Sequence, residues 1–294
     1  MPYTKSTYSN RAIPDFARGA IDNIEGALHV GYHSVCVANC AQHMMIFEAD
    51  SVLWPFFEGR LNVAQDFGPN GYHLYTSLGA AQDLHLWDVT PEGIGVMRCY
   101  VFNGTDEYLI AADQDFFTVE AQNTFTVGAW VNFKESADSC ILSKWDETTD
   151  SELREWMLTT DNTGYITFLI YDETNNAVIG REYQTTMPEN AWHHIVARYD
   201  GGTDAANIDI FVDGVEVDDA NAGDDVGFAT MVNTATPVRC GSFEAADGSE
   251  EYLFDGKMWG PFFTLQELND VEIWNLYQLG KAALDLDLIA GMPD

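Results

Sequence analysis

The stretch from Asn190 to Val217, NAWHHIVARYDGGTDAANIDIFVDGVEV, constrains this chain more than any other. Trp192, His194, Val196 and Arg198 fall on one side of a run whose other side carries His193, Ile195, Ala197 and Tyr199. That is the period of two of a β-strand. Asp200-Gly201-Gly202 ends the run, and Ile208, Ile210 and Val212 then alternate with Asp209 and Phe211. Asp213-Gly214 follows, a dipeptide suited to the positive φ angles of a two-residue hairpin. The region is therefore predicted to form adjacent antiparallel strands.

The rest of the chain has the same rhythm. TFTVGAWVNF (124–133), CILSKWD (140–146), EWMLTT, GYITFLIYD and AVIGREY alternate, with Asn162-Thr163-Gly164 and Asn175-Asn176 as turns. They read as an antiparallel meander. Turn signals every 8 to 12 residues and 13% aromatic residues predict a β-sandwich. With 46% hydrophobic residues in 294, a full core can be built. Phe125, Val127, Val131, Ile210 and Val212 are predicted to be buried, with Trp130 on the opposite face of its strand.

Six pieces in order carry a family resemblance. SVLWPFFEG (51–59), Asp66 with GPNGYHL (68–74), VFNGTDEYLIAA (101–112), TFTVGAWVNF, the 190–217 region and YLFDGKMWGPFFTLQELNDVEIWNLYQLG (252–280) resemble a laminin-G-like jelly roll. The resemblance implies an all-β, concanavalin-like antiparallel sandwich spanning residues 44–294, after an N-terminal extension. KMWGPFF stands where the family has an acidic strand, from which some relatives draw a calcium ligand. Leu265, Leu268, Ile273 and Leu276 read as a short C-terminal helix, with Thr264 to Glu267 as its capping box.

Residues 1–43 read as an arm for docking or assembly. Lys5, Arg11 and Arg18 face Asp15 alone in its first twenty residues, while the whole chain carries a net charge of −34. That balance excludes nucleic acid as a partner. His29, His33, Cys36, Cys40 and His43 recur at steps of 4, 3, 4 and 3, which on a helix is one stripe suited to zinc. Val35 and Val37 alternating with small residues favour a buried strand there instead. The start has no apolar leader core, and no run approaches the roughly 18 apolar residues of a membrane helix. Five cysteines form no disulfide framework, so all five are expected as free thiols.

Candidate chemistry is sparse. Glu216-Val217-Asp218 comes nearest to the Glu-x-Asp-x-x-Glu pattern of glucanases on a related fold, but lacks the last Glu and reads as exposed loop charge. His193 and His194 read as ordinary strand packing. Calcium is the cofactor that the acidic loops could take, with Asp146, Asp150, Asp218, Asp224 and Asp247 as candidate ligands, set against a plain solvated acidic surface. Glycan stacking would fall to Trp87, Trp145, Trp156, Tyr171 and Trp259, each weighed against a packing role.

These features lead to the expectation of a non-enzymatic structural and interaction protein. The setting expected is a virion surface, as a phage decoration, capsid-accessory or tail-appendage protein folded in the host cytoplasm. Its partners would be copies of itself, a viral shell or tail protein, or cell-surface glycans, without membrane insertion. An extracellular, calcium-assisted lectin is the alternative reading, and a glycan-cleaving enzyme the third.

Overall fold

The computed structural model describes residues 46–47, 50–56, 63–77, 87–90, 97–120, 123–148 and 152–283, with the backbone alone at 87–90 and 97–98. The strands are β1 (Ser51–Leu53), β2 (Val63–Ala64), β3 (Leu74–Thr76), β4 (Trp87–Thr90), β5 (Met97–Asn103) and β6 (Leu109–Ala111). Then come β7 (Phe125–Glu135), β8 (Cys140–Lys144), β9 (Trp156–Thr160), β10 (Ile166–Asp172), β11 (Ala177–Tyr183) and β12 (Trp192–Tyr199). β13 (Ile208–Val212), β14 (Val215–Glu216), β15 (Ala220–Asp224), β16 (Val238–Cys240), β17 (Phe243–Glu244), β18 (Glu250–Glu251) and β19 (Asp255–Thr264) precede the C-terminal α-helix, α1 (Asp270–Ala283).

Two antiparallel sheets face each other. One runs β14-β13-β12-β7-β19-β5-β4 with β1 beside β19; the other runs β15-β11-β10-β9-β8-β16-β6-β3-β2. The 190–217 region forms three neighbouring strands of the first sheet, as the alternation predicts. Asp213 and Gly214 take φ of 52° and 78°, the left-handed pair that a two-residue hairpin needs. The meander β8 to β11 is likewise as read.

The core lies between the sheets. Phe125, Val127, Ala129 and Val131 of β7, with Ile195 and Ala197 of β12, meet Trp156, Leu158, Ile166, Phe168 and Ile170 of the second sheet. Phe125 packs 6.0 Å from Trp156 and 5.8 Å from Phe168, ring centre to ring centre. Each such side chain contributes about 1.5–3 kcal/mol by leaving water. Val212 differs from expectation. It lies next to the hairpin at the end of β13 and is only half-buried.

The outer face of the first sheet is covered by α1. Trp130 does point away from the core, but it is 2% exposed, stacked against Tyr277 of α1 at 5.5 Å and beside His194 at 5.2 Å. Phe47, Leu53, Val196, Phe211 and Phe262 join Leu268, Ile273 and Leu276 in a second apolar layer. Arg198 ties the helix down, donating to Asp209, to the Leu268 carbonyl and to Asp270.

The helix starts later than Thr264 predicts. Thr264 belongs to β19, and its hydroxyl donates to the Asp50 carbonyl. The cap is Asn269, whose Oδ1 accepts from the Val271 and Glu272 N–H groups while Glu272 Oε2 accepts from Asn269 N. The box has the right chemistry five residues downstream.

Buried polar groups fasten the connections. Asp66 organises the 66–72 turn, accepting from the Leu53, Gly68 and Tyr72 N–H groups. Lys144 is fully buried and donates to Glu155 Oε1 at 2.6 Å and to the carbonyls of Thr234 and Thr236. Glu155 Oε1 also accepts from the Thr234 N–H and hydroxyl, so the crossover before β16 is held at the ends of β8 and β9.

Candidate functional site

Antiparallel pairing puts the end of β8, the start of β9, the end of β10 and the start of β11 together at one end of the second sheet's strands. Trp145 follows β8, Arg154 precedes β9 and Tyr171 lies near the end of β10. They converge there. Trp145 and Tyr171 meet edge to face at 5.6 Å. The Arg154 guanidinium lies 3.8 Å over the Tyr171 ring. Glu173 fixes Arg154, accepting from its backbone N at 2.8 Å and from Nε at 2.7 Å. Trp145 Nε1 donates to Glu147, and the Tyr171 hydroxyl to Asn176. Burial, chiefly, pushes the Tyr171 phenol above its ordinary value, against the Arg154 charge.

The β17–β18 hairpin folds onto this place. Glu244 N donates to the Trp145 carbonyl, and Phe243 and Ala245 pack with Trp145, Met157 and Tyr171. Arg239, opposite Ser143 on the same outer face, pairs with Glu244 and Glu250 under the hairpin. Trp145 and Tyr171 are consequently 3% and 9% exposed. Sequence reasoning missed Arg154, Glu173 and Arg239, because their relation to the aromatics is set by cross-strand register.

The other proposed aromatics do not join this place. Trp156 is fully buried in the core, where its Nε1 donates to the Phe117 carbonyl. Trp259 is 2% exposed and packs with Trp130 and Cys99 beneath the outer face of the first sheet. Trp156 points inward by the alternation of β9, whereas Trp259 shares the outward face with Trp130 and is covered by the layer above it, so neither offers a stacking platform. Trp87 opens β4, the edge strand of the first sheet.

Of the calcium candidates, Asp146, Asp224 and Asp247 lie apart and are engaged, whereas Asp218 comes together with Asp209 and Glu216 in a group whose carboxylate oxygens could hold a cation. Asp146 Oδ1 accepts from Thr148 N, Asp247 Oδ1 from Ser249 N and Asp224 Oδ1 from Ala205 N. Asp146 and Asp247 are turn-forming acceptors two residues from their donors, and Asp224 ties β15 to the turn at Ala205, so the three do not form one cage. Asp150 lies outside the described residues, as do His29, His33, Cys36, Cys40, His43 and the whole of the 1–43 arm. Cys99, Cys140 and Cys240 are free, buried thiols.

Glu216 and Asp218 differ from the reading that both are exposed loop charges. Glu216 is exposed, but the Asp218 side chain is 6% exposed, paired with Arg181 and accepting from Ile210 N. The fold brings Asp209 beside them, with one oxygen of each within 4.8 Å of the others. Partial burial and the charges of Asp209, Asp218 and Asp270 raise the Glu216 carboxyl, against Arg198. Arg198 and Arg181 already hold Asp209 and Asp218.

No curated protein matches the chain. Among solved structures, the binding domain of Paraclostridial mosquitocidal protein 1 has a TM-score of 0.51 and 12% identity over 79% of this chain and 51% of that one. The botulinum neurotoxin serotype G binding domain has a TM-score of 0.51 and 13% identity over 81% of this chain and 51% of that one. Domain 4 of the extracellular arabinanase AbnA from Geobacillus stearothermophilus, solved with arabinotriose, has a TM-score of 0.49 and 12% identity, covering 77% and 97%. The chain thus spans about half the length of the two toxin domains, and the likeness is one of lectin-like fold. A laminin-G family model, described as the concanavalin A-like lectin/glucanases superfamily, matches residues 103–275. That is more than half of the sequence, and the chain belongs to this superfamily.

Proposed function

We propose that this chain is a non-catalytic recognition module that binds glycan through the strand ends bearing Trp145, Arg154 and Tyr171, and that it is displayed on a virion surface. The observation that carries the reading is the Arg154–Tyr171 stack beside Trp145. A planar cation on an aromatic, pinned by Glu173 and ringed by Glu147, Asn176 and Glu244, offers what a sugar needs. Trp145 and Tyr171 form the buried floor of the site, and the half-buried Arg154, Glu147 and Glu244 with the exposed Asn176 at the rim offer paired donors and acceptors to vicinal hydroxyls. The virion setting rests on charge: an acidic body keeps crowded copies soluble, and the Lys5–Arg11–Arg18 tip gives an attachment point. The test is a glycan array with the full chain, repeated with Arg154→Ala, joined to sedimentation with particles from a producing culture. At least tenfold weaker binding by the variant, and co-sedimentation of the chain, are expected. An array without hits removes the glycan reading, and absence from particles removes the virion reading.

A glycan-cleaving reading is favoured by one observation, the approach of Asp209, Glu216 and Asp218 with the Glu216 carboxyl held above its ordinary value by partial burial and the neighbouring carboxylates. Retaining glycosidases hold two carboxyl groups about 5–5.5 Å apart. The engagement of Asp218 by Arg181 and of Asp209 by Arg198 weighs against it.

A further inference from the structure

The outward side of α1 carries an apolar patch. Val271 and Trp274 are one helical turn apart, hence on one face, and are 67% and 44% exposed. The hairpin tip abuts them: a Cβ at Gly214 would lie 2.8 Å from Trp274 Cε3. That places Val215, 56% exposed, beside the helix. The surrounding charge is acidic. Asp209 and Glu216 come from the neighbouring strands, and Asp270 and Glu272 from the first turn of α1.

The chain enters the described structure next to this patch. Phe47 is 2% exposed and sits 4.9 Å from the Phe262 ring. Ile46 lines a groove of about 280 Å³ with Gln266, Glu267, Leu268 and Glu272. Ile46 therefore lies at the first turn of α1, where Glu272 adjoins Val271. What precedes it is chemically distinctive. Residues 27–45, ALHVGYHSVCVANCAQHMM, contain no Asp, Glu, Lys or Arg in a chain of net charge −34. A 14-residue helix is about 21 Å long, a distance that about seven extended residues span.

We propose that residues 27–45 of the same chain lie over the Val215–Val271–Trp274 patch. Tethering at Ile46 gives this segment a high effective concentration at the patch, which a second copy lacks. A second copy would also bring its own −34 charge against the acidic rim. The apolar half of the N-terminal extension becomes part of the domain, and only its basic tip remains for docking.

The full-length chain supplies its own probes. Cys36 and Cys40 lie in the segment, whereas Cys99, Cys140 and Cys240 are fully buried. Val271→Cys treated with a short-arm bismaleimide should give a monomer cross-linked internally to Cys36 or Cys40. A cross-linked dimer would assign the patch to a second copy and overturn the proposal. So would doubly labelled monomer without a cross-link. In a second measurement, Val215→Asp with Val271→Asp should raise amide exchange across 27–45 at least tenfold. Both sites are exposed, so the melting of the sandwich should hold. Unchanged exchange in that folded variant overturns the proposal too, and decides the matter if Cys36 and Cys40 resist labelling.

Discussion

Gly280 of α1 lies directly against the indole of Trp130 on β7: a Cβ added there would come within 2.0 Å of Trp130 Nε1. Glycine in a helix costs about 1 kcal/mol relative to alanine, so its presence marks a close approach rather than a propensity. Gly280→Ala should push α1 off the sheet and, despite better helix propensity, destabilise by about 1–3 kcal/mol. Denaturant midpoints and the near-ultraviolet dichroism of the tryptophans would report it. A raised midpoint would mean that the helix does not seat on Trp130.

The Lys144–Glu155 pair should behave as a buried lock. Both side chains are fully buried, and Glu155 also holds Thr234. Removing one partner leaves an uncompensated buried charge, so Lys144→Ala should cost about 3–5 kcal/mol. Lys144→Met combined with Glu155→Leu should recover much of that loss. Equal losses for the single and double variants would refute the coupling.

Acid should loosen the turns at the sheet ends. Burial works against the Asp172 carboxylate, but hydrogen bonds from Asn175, Ala229 and Thr230 outweigh it and hold its carboxyl below the usual range. Burial likewise opposes the charge of Asp213, and His193 and the His194 N–H outweigh it. A lowered folded value means a stabilisation that is complete above the unfolded carboxyl value near 4. It is lost as pH falls through the lower folded value. Denaturant midpoints measured from pH 6 to pH 2 should fall mainly below about pH 4, and Asp172→Asn should flatten that fall.

Much of this was legible in the sequence, for physical reasons. Alternation with period two places Ile195, Ala197 and Ile210 inward and Trp130 outward, and Asp213-Gly214 admits few other turns. What could not be read was the layer above a sheet face. Trp130 and Trp259 look like surface aromatics until α1 covers the first and the outer layer closes over the second. Trp145 and Tyr171 are 26 residues apart in sequence, and only the register β8–β9–β10 makes them neighbours of Arg154. Acidic loop residues looked equivalent by type. Asp218 is separated from Glu216 by its Arg181 partner on a strand of the other sheet, a contact that no local pattern encodes.

That difference makes the two carboxylates separable by experiment. Glu216 projects from the edge strand β14, so Glu216→Gln should leave stability unchanged within about 0.5 kcal/mol. Asp218→Asn weakens the Arg181 contact and the bond from Ile210 N, and hydrogen bonds to charged groups are worth about 1.5–3 kcal/mol. It should therefore lower the unfolding midpoint whether or not the protein has an activity. Reducing-sugar release from a panel of polysaccharides should stay at background for the wild-type chain. If some glycan is hydrolysed and Glu216→Gln abolishes that activity at an unchanged midpoint, Glu216 acts as an acid in catalysis and the non-catalytic reading falls. Loss with Asp218→Asn alone, at a lowered midpoint, would show only that the β13–β15 corner has come apart.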